Sequence, residues 1–394
     1  MPVKEIVERV HSVGVVDWDR RLFDALIPLP DGTSYNSYLV QGSQKTALID
    51  AVDPAKLAVL HRHLDELGIE RVDYLVTNHA EQDHSGGIPS VLDRFPEAKV
   101  VCTPKCAEIL KDHLHLTDEQ MITVEDGEVI SLGDRTLEFI HSPWVHWPET
   151  MMTYLREEQI LFSCDFFGSH LATSDLYGTD RGQVEIAAKR YFGEIMMPFT
   201  RVIARHLERL EGYDLKVIAP SHGPAYDDPN FILDLYREWV TGPPRNVAVV
   251  LHVTMHGSTQ MMTDHLVTAL VRRGVKVEQI DLTTLDSGKL VMALVDAATV
   301  LLGTPTVLTG PHPVAANAAF LMNAVKPKAK FVGLYGSYGW GTRVEQTVAS
   351  LLSSLKVETL PSVLIKGMPR EEDFRALDAL AQQVADRHRE AGLR

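Results

Sequence analysis

Residues 73–87, Asp73-Tyr74-Leu75-Val76-Thr77-Asn78-His79-Ala80-Glu81-Gln82-Asp83-His84-Ser85-Gly86-Gly87, carry an apolar strand into a loop where four potential metal ligands fall within six positions. Polar groups crowded beside glycines at a strand end need a partner, and a cation satisfies them together. His79, Glu81 and Asp83 alternate at i, i+2 and i+4, so an extended backbone aims them at one point, while adjacent His84 points elsewhere and suits a second ion. Further candidates follow other apolar runs: His146 in SPWVHWPET, Asp165 in ILFSCDFFG and His222 in VIAPSHGP. The set comprises four histidines and three carboxylates. A carboxylate can bridge two cations with its two oxygens, and Asp165, at the end of a buried strand, is assigned that role; the other six divide three and three. The competing reading makes WVHWP a packed aromatic loop and CDFFG a turn. His61, His63, His113 and His115 lie in charged helical stretches with no carboxylate constellation and are assigned to solvated faces. Cys102 and Cys106 are read as packing residues.

At 394 residues the chain is about two and a half times the ~150-residue length of one domain, so two domains are expected. Hydrophobic residues at 45% and charged residues at 23% are ordinary for a globular protein with substantial cores. The 38 Lys and Arg against 53 Asp and Glu leave a net charge of −15, which repels nucleic acid and anionic membranes. No apolar run approaches the ~20 residues of a membrane span, and the start MPVKEIVERV is charged where a signal peptide is apolar, so a cytoplasmic protein is expected. Three cysteines support neither a disulfide framework nor a four-thiolate iron centre, so nitrogen and oxygen must hold any metal.

Thr241-Gly242-Pro243-Pro244-Arg245 interrupts a helical pattern just before the strand-like NVAVVLHV, and sets a boundary between domains 1–243 and 244–394. Before it, runs such as TSYNSYLVQ, KTALIDA, KVVCTP and TLEFIHSP alternate with turns and short helices, as in a sheet core covered by helices. After it, NVAVVLHV, KVEQIDL, ATVLLG and KFVGLYG alternate with helical segments, the rhythm of a flavodoxin-like, doubly wound parallel sheet.

In this second half, the first strand runs into Thr254-Met255-His256-Gly257-Ser258-Thr259 just ahead of a helix. Hydroxyls and backbone N–H groups at a helix N-terminus suit a phosphate, and Gly257 allows close backbone approach. The spacing fits neither a nucleoside triphosphate loop nor a dinucleotide fingerprint, which leaves a mononucleotide. Two later strand ends, Gly303-Thr304-Pro305-Thr306 and Gly336-Ser337-Tyr338-Gly339-Trp340-Gly341, add aromatic surface for a flat ring. FMN fits all three loops; the bland alternative is an empty α/β domain with polar loops.

The H-x-E-x-D-H pattern at 79–84 resembles the first motif of the metallo-β-lactamase superfamily, whose zinc hydrolases commonly carry a second histidine where Glu81 stands. A carboxylate there makes the site harder and more anionic, favouring iron or manganese over zinc. Such a domain followed by a flavodoxin-like one resembles the flavodiiron proteins, also called A-type flavoproteins. The resemblance extends to GTSYNSYLV, VHWPET, DFFGSHLATS, KRYFGEIMMPF, APSHG and YGSYGWG, over nearly the whole chain.

It implies an N-terminal metallo-β-lactamase-like αββα sandwich holding two irons, one on His79, Glu81 and His146, the other on Asp83, His84 and His222, with Asp165 bridging. It implies FMN on the three loops and reduction of O2 to water or NO to N2O, with His170 and Tyr191 lining the pocket. It also implies a head-to-tail homodimer that can pair into a tetramer, bringing the FMN of one chain beside the irons of the other. Electrons would come from outside: rubredoxin, a reductase or reduced coenzyme F420. Three positions depart from the family pattern. Asp24 stands where relatives often have histidine, Leu308 and Thr309 where asparagines usually help to hold the flavin, and His256 where an aromatic residue is common. The rival functions are a zinc hydrolase fused to a flavodoxin module and a non-catalytic electron carrier or redox sensor.

Overall fold

The computed structural model describes residues 2–393. They form two compact units, one of residues up to 192 together with 199–240, the other of 193–198 together with residues from 241 on.

In the first unit a seven-stranded sheet runs in the order Lys4–Val7, Val10–Ser12, Tyr38–Gln41, Thr46–Ile49, Tyr74–Val76, Lys99–Cys102, Met121–Thr123. A five-stranded sheet runs Val129–Ser131, Thr136–His141, Met151–Leu155, Ile160–Cys164, Val217–Pro220. The period of two along each strand sorts the side chains. Leu39, Leu48, Leu75 and Val100 form a core with Leu60, Leu64, Val91 and Leu110, which lie on the helices Leu57–Glu66, Ile88–Arg94 and Pro104–Leu114. Their neighbours Val40, Ala47, Ile49, Val76 and Val101 turn the other way and meet Phe139, Met151, Leu155, Phe162 and Ala219 of the second sheet. Helix, sheet and sheet are thus stacked layers, and the first unit is a metallo-β-lactamase-like fold.

This layering brings ligand-bearing strand ends together. Ile160–Cys164 and Val217–Pro220 are parallel neighbours with Cys164 opposite Pro220, so Asp165 and His222 leave from the same end. Cys164 itself adopts φ 54, a left-handed turn that redirects the chain into Asp165. His63 corrects one sequence expectation. It is buried, with Nδ1 2.9 Å from the Val13 carbonyl, because it shares the packed face of its helix with Leu60 and Leu64. His61 is half-buried, its Nε2 2.9 Å from Ser90 Oγ, whereas His113 and His115 are exposed.

The second unit orders its strands Lys276–Asp281, Arg245–His252, Ala297–Val307, Phe331–Tyr338, and the last of these pairs with both Glu358–Thr359 and Val363–Lys366. All these pairings are parallel, and the strand order is that of a flavodoxin-like sheet. Val250, Leu301 and Tyr335 pack against Leu266 and Leu270 of the helix Ser258–Arg272 and Leu377 and Leu380 of Glu371–Glu390.

His388 sits in this core with Nε2 2.6 Å from Thr299 Oγ1 and Nδ1 2.8 Å from Asn246 Oδ1. Burial depresses its pKa to about 4. The unfolded chain therefore binds a proton that the folded chain refuses, and stability falls as pH drops from about 6.5 towards 4. We expect this unit to lose roughly 2 kcal/mol over that window, and a His388→Phe variant to show a flatter pH dependence in thermal denaturation monitored at flavin release.

Candidate metal centre and flavin cradle

The seven predicted ligands converge. His79 Nε2 lies 3.1 Å from Glu81 Oε2 and 3.5 Å from Asp165 Oδ2, and His146 Nε2 is 3.2 Å from each of the same two oxygens. On the other side, Asp165 Oδ1 is 3.2 Å from His84 Nε2 and 3.3 Å from His222 Nε2, while Asp83 reaches the same imidazoles at 3.3 and 3.2 Å. The two oxygens of Asp165 thus face two separate donor sets, each with ligand atoms within 4.8 Å of one another.

One detail departs from the sequence reading. The extended geometry ends at Glu81, with ψ 143, and a helical turn Gln82–Ser85 follows. About 100° of rotation per residue swings Asp83 away from His79 and Glu81, and it joins His84 and His222 instead.

The surrounding bonds orient the ligands. Asp50 accepts from both Asn78 N (2.8 Å) and Asn78 Nδ2 (2.9 Å), and Thr153 Oγ1 donates to Asn78 Oδ1 at 2.7 Å, which locks the strand end before His79. The Ser34 carbonyl lies 2.7 Å from His222 Nδ1, leaving Nε2 free towards the carboxylates. Burial opposes protonation of His222, yet the adjacent carboxylates of Asp165 and Asp83 outweigh it and raise its pKa to about 10. Burial likewise pushes Asp165 up, but His84, His146 and His222 hold it well below the usual carboxylate range. Both Asp83 oxygens, His84 Nε2 and Asp165 Oδ1 are buried without a hydrogen-bond partner. Such orphaned atoms, all turned to one space in a nitrogen and oxygen donor set, fit a pair of hard cations.

The flavin loops lie at the carboxyl ends of three adjacent parallel strands. Gly257 has φ 89, a left-handed conformation that glycine adopts freely, and its N–H reaches Thr254 Oγ1 at 3.1 Å. Ser258 Oγ and Ser337 Oγ, 2.7 Å apart, tie the first loop to the third, and Thr306 Oγ1 bonds Thr342 at 3.0 Å. Thr304 Oγ1 accepts from His312 N at 3.0 Å, and Pro305 continues its strand, opposite Ser337. Thr259 Oγ1 is buried with no partner, as an anion-binding hydroxyl in this cradle would be. At the rim Met255, His256 and Trp340 are exposed and Tyr338 half-exposed; Gly339 and Gly341 have open space around them. Thr259→Val keeps the shape and loses only the hydroxyl. We expect FMN affinity to fall roughly 10- to 100-fold in fluorescence titration, with the apoprotein fold unchanged.

The sequence family described as ODP family beta lactamase matches residues 33–223. The nitric oxide reductase of Moorella thermoacetica is 34% identical over 391 residues, covering 97% of this chain and 98% of that protein. The coenzyme F420H2 oxidase of Methanothermobacter marburgensis is 33% identical, covering 97% and 98%. Rubredoxin oxygen:oxidoreductase of Desulfovibrio gigas superposes with a TM-score of 0.95 at 28% identity, covering 98% of this chain and 99% of that one. The flavodiiron protein of Giardia intestinalis gives a TM-score of 0.92 at 27% identity, covering 98% and 97%. The chain belongs to the flavodiiron family.

The flavodiiron cofactors, FMN and two irons, match the cradle and the paired donor sets. His170 and Tyr191, expected beside the flavodiiron pocket, are both buried, with ring centroids 4.9 Å apart. His170 Nδ1 is 2.9 Å from Thr33 Oγ1, its Nε2 has no partner, and burial holds it neutral. The pKa of the Tyr191 phenol is raised by burial and then by the charge of Asp165. Asp24, the first departure, lies beside Glu81. Partial burial, then the charges of Glu81 and Asp83, bring its pKa to about 6. Leu308 and Thr309 form a hairpin turn at φ 48 and 68, a left-handed pair that asparagine tolerates better than leucine. One functional contact escaped the sequence reading: Glu149 Oε1, 2.7 Å from His79 Nδ1. The available signal was a carboxylate three residues beyond His146 in the same loop.

Proposed function

We propose that this chain reduces O2 to water, NO to N2O, or both, with the domain 1–243 holding a diiron centre and 244–394 holding FMN. In this reading His79, Glu81 and His146 bind one iron, Asp83, His84 and His222 the other, and Asp165 bridges. FMN is held by Thr254, Met255, His256, Gly257, Ser258 and Thr259, by Thr304, Pro305 and Thr306, and by Ser337, Tyr338, Gly339, Trp340 and Gly341. The observation that carries the reading is the division of the Asp165 oxygens between two donor sets.

When bound, a ferrous pair supplies a redox centre for a diatomic, and FMN passes on electrons singly. The residues do the rest. Asp165 screens the two cations from each other, and the burial of His79, His84 and His222 excludes bulk water from their ligand atoms. Tyr191 and His170 present a phenol and an imidazole to the same space, where a donor can steady a small polar ligand. Reduction of O2 to two waters consumes four electrons and four protons; reduction of two NO to N2O and water consumes two of each.

The relatives' names point to rubredoxin or reduced F420 as electron sources, and a separate reductase is the third candidate. We further infer a head-to-tail homodimer, able to pair into a tetramer, in which each FMN serves the partner's irons, and a cytoplasmic location. Among the described residues no helix is long and apolar enough to cross a membrane.

The test is consumption of O2 and of NO by the iron- and FMN-loaded protein, supplied in turn with reduced rubredoxin, an NAD(P)H-linked reductase and reduced F420. Turnover of either gas is the expected result. Zinc content with ester or lactam hydrolysis and no gas consumption would overturn it.

A further inference from the structure

Glu149 holds a charge where orientation alone needs none. Its Oε1 lies 2.7 Å from His79 Nδ1 and accepts the Ala80 N–H at 3.1 Å, and neither the Glu149 nor the His79 side chain has any exposure. The Glu149 carbonyl accepts Thr103 Oγ1 at 2.9 Å, which anchors the residue to the start of the helix Pro104–Leu114. Oε2 is buried with no hydrogen-bond partner. A buried carboxylate so incompletely paired is costly. At His222 the same orienting task, fixing Nδ1 so that Nε2 faces the carboxylates, falls to the neutral Ser34 carbonyl at 2.7 Å. His79 and His222 therefore differ in what backs them, a carboxylate behind the one and a neutral carbonyl behind the other. A carboxylate drawing on the Nδ1 proton makes Nε2 a stronger electron donor than a carbonyl does.

We propose that Glu149 is a positioning residue that makes the two metal positions unequal, by favouring the more oxidised ion in the His79, Glu81 and His146 set over the Asp83, His84 and His222 set. With iron bound, the Asp83, His84 and His222 set would then be the easier of the two to reduce. The inference rests on the ligand assignment proposed above.

The test uses the full-length, iron- and FMN-loaded protein and its Glu149→Gln and Glu149→Asp variants. Glutamine keeps an oxygen acceptor and loses the charge; aspartate keeps the charge on a shorter arm. The readouts are iron release to a chelator and redox titration followed by the paramagnetic signal of the mixed-valent pair. For Glu149→Gln we expect retention of FMN, iron affinity weakened by about 10- to 100-fold, and a narrower gap between the two iron potentials. Each tenfold change in preference for ferric over ferrous ion is about 59 mV. The mixed-valent signal then shrinks, and Glu149→Asp recovers much of it. A wild-type gap and signal in Glu149→Gln, or loss of the gap in the aspartate variant as great as in the glutamine one, would overturn the proposal. Two irons retained in His79→Ala would instead overturn the ligand assignment beneath it.

Discussion

Asp165→Asn is expected to abolish the paired metal site while leaving the flavin in place. An asparagine can offer one oxygen, and its amide nitrogen must then turn donor hydrogens towards imidazole nitrogens that now approach at 3.2 and 3.3 Å or 3.2 and 3.5 Å. No neutral group replaces the anion between two dications. Iron is expected to fall from two per chain to one or none, and gas reduction to drop by more than the about 10- to 100-fold that outer contacts to metal ligands cost. FMN should stay near one per chain, because none of its proposed contacts comes from residues before 241. The metal-free proteins carry a second signature. In the wild type, His222 has a folded pKa of about 10, so its contribution to stability is complete below about pH 6.5 and lost as pH rises towards 10. Asp165 supplies one of the two leading contacts behind that shift, and the asparagine variant should show a weaker loss over the same range. Iron and flavin analysis with denaturation curves at several pH values checks both, and an Asp165→Asn protein with two irons and full turnover would dispose of the bridge.

Gly223→Ala should be nearly as damaging without touching a ligand. Gly223 has φ 78, and a Cβ there would lie 2.0 Å from Ser169 Oγ and 2.6 Å from the Ser169 carbonyl oxygen. The backbone around it is bonded on all sides: Gly223 N to Ser34 Oγ at 2.7 Å, Asn36 Nδ2 to the Gly223 carbonyl at 2.7 Å, and Ser169 N to the His222 carbonyl at 3.1 Å. Relief of the clash must move Gly223, and His222 with it, or the Ser169 segment that leads into His170. Left-handed strain of about 1 kcal/mol plus overpacking of 1–3 kcal/mol predicts a loss of roughly 3 kcal/mol, or about 5–10 °C in melting temperature, together with easier iron loss from the His222 side. Gly127→Ala separates the two causes. Gly127 has φ 80 with open space around it, so only the strain remains, about 1 kcal/mol. Equal losses in the two variants would rule out the steric account.

Much of this was legible in the residues because metal ligands and phosphate loops cluster at strand ends, and strand ends are marked by the change from apolar runs to glycine and polar residues. His79, Asp165 and His222 each follow such a run. The allocation of Asp83 was not legible in the alternation of residues 79–83, which groups it with His79 and Glu81, and came only with the family resemblance. It depends on where the loop becomes helical, a turn closed by Ser85 N to the Glu81 carbonyl and Gly86 N to the Gln82 carbonyl, both at 2.8 Å. His63 shows the opposite case: the period it shares with Leu60 and Leu64 put it on the buried face, while the charged neighbours that suggested a solvated histidine line the other side of the helix. Glu149 was invisible as a partner of His79 because the two are 70 residues apart and meet only when the loop 142–150 folds back over the first sheet.

The sequence alone determined the inventory: seven nitrogen and oxygen donors without thiolates, an alternating pattern that forms two layered sheets, and a glycine-bearing loop before a helix suited to a phosphate. Tertiary structure decided the pairing: which oxygen of Asp165 faces which imidazoles, and why His79 leans on a carboxylate while His222 leans on a carbonyl. The reason is physical. Local pattern sets the direction of a side chain relative to its own strand or helix, whereas the distances of about 3 Å on which coordination and hydrogen bonding depend arise between strands whose separation only the packed core can set.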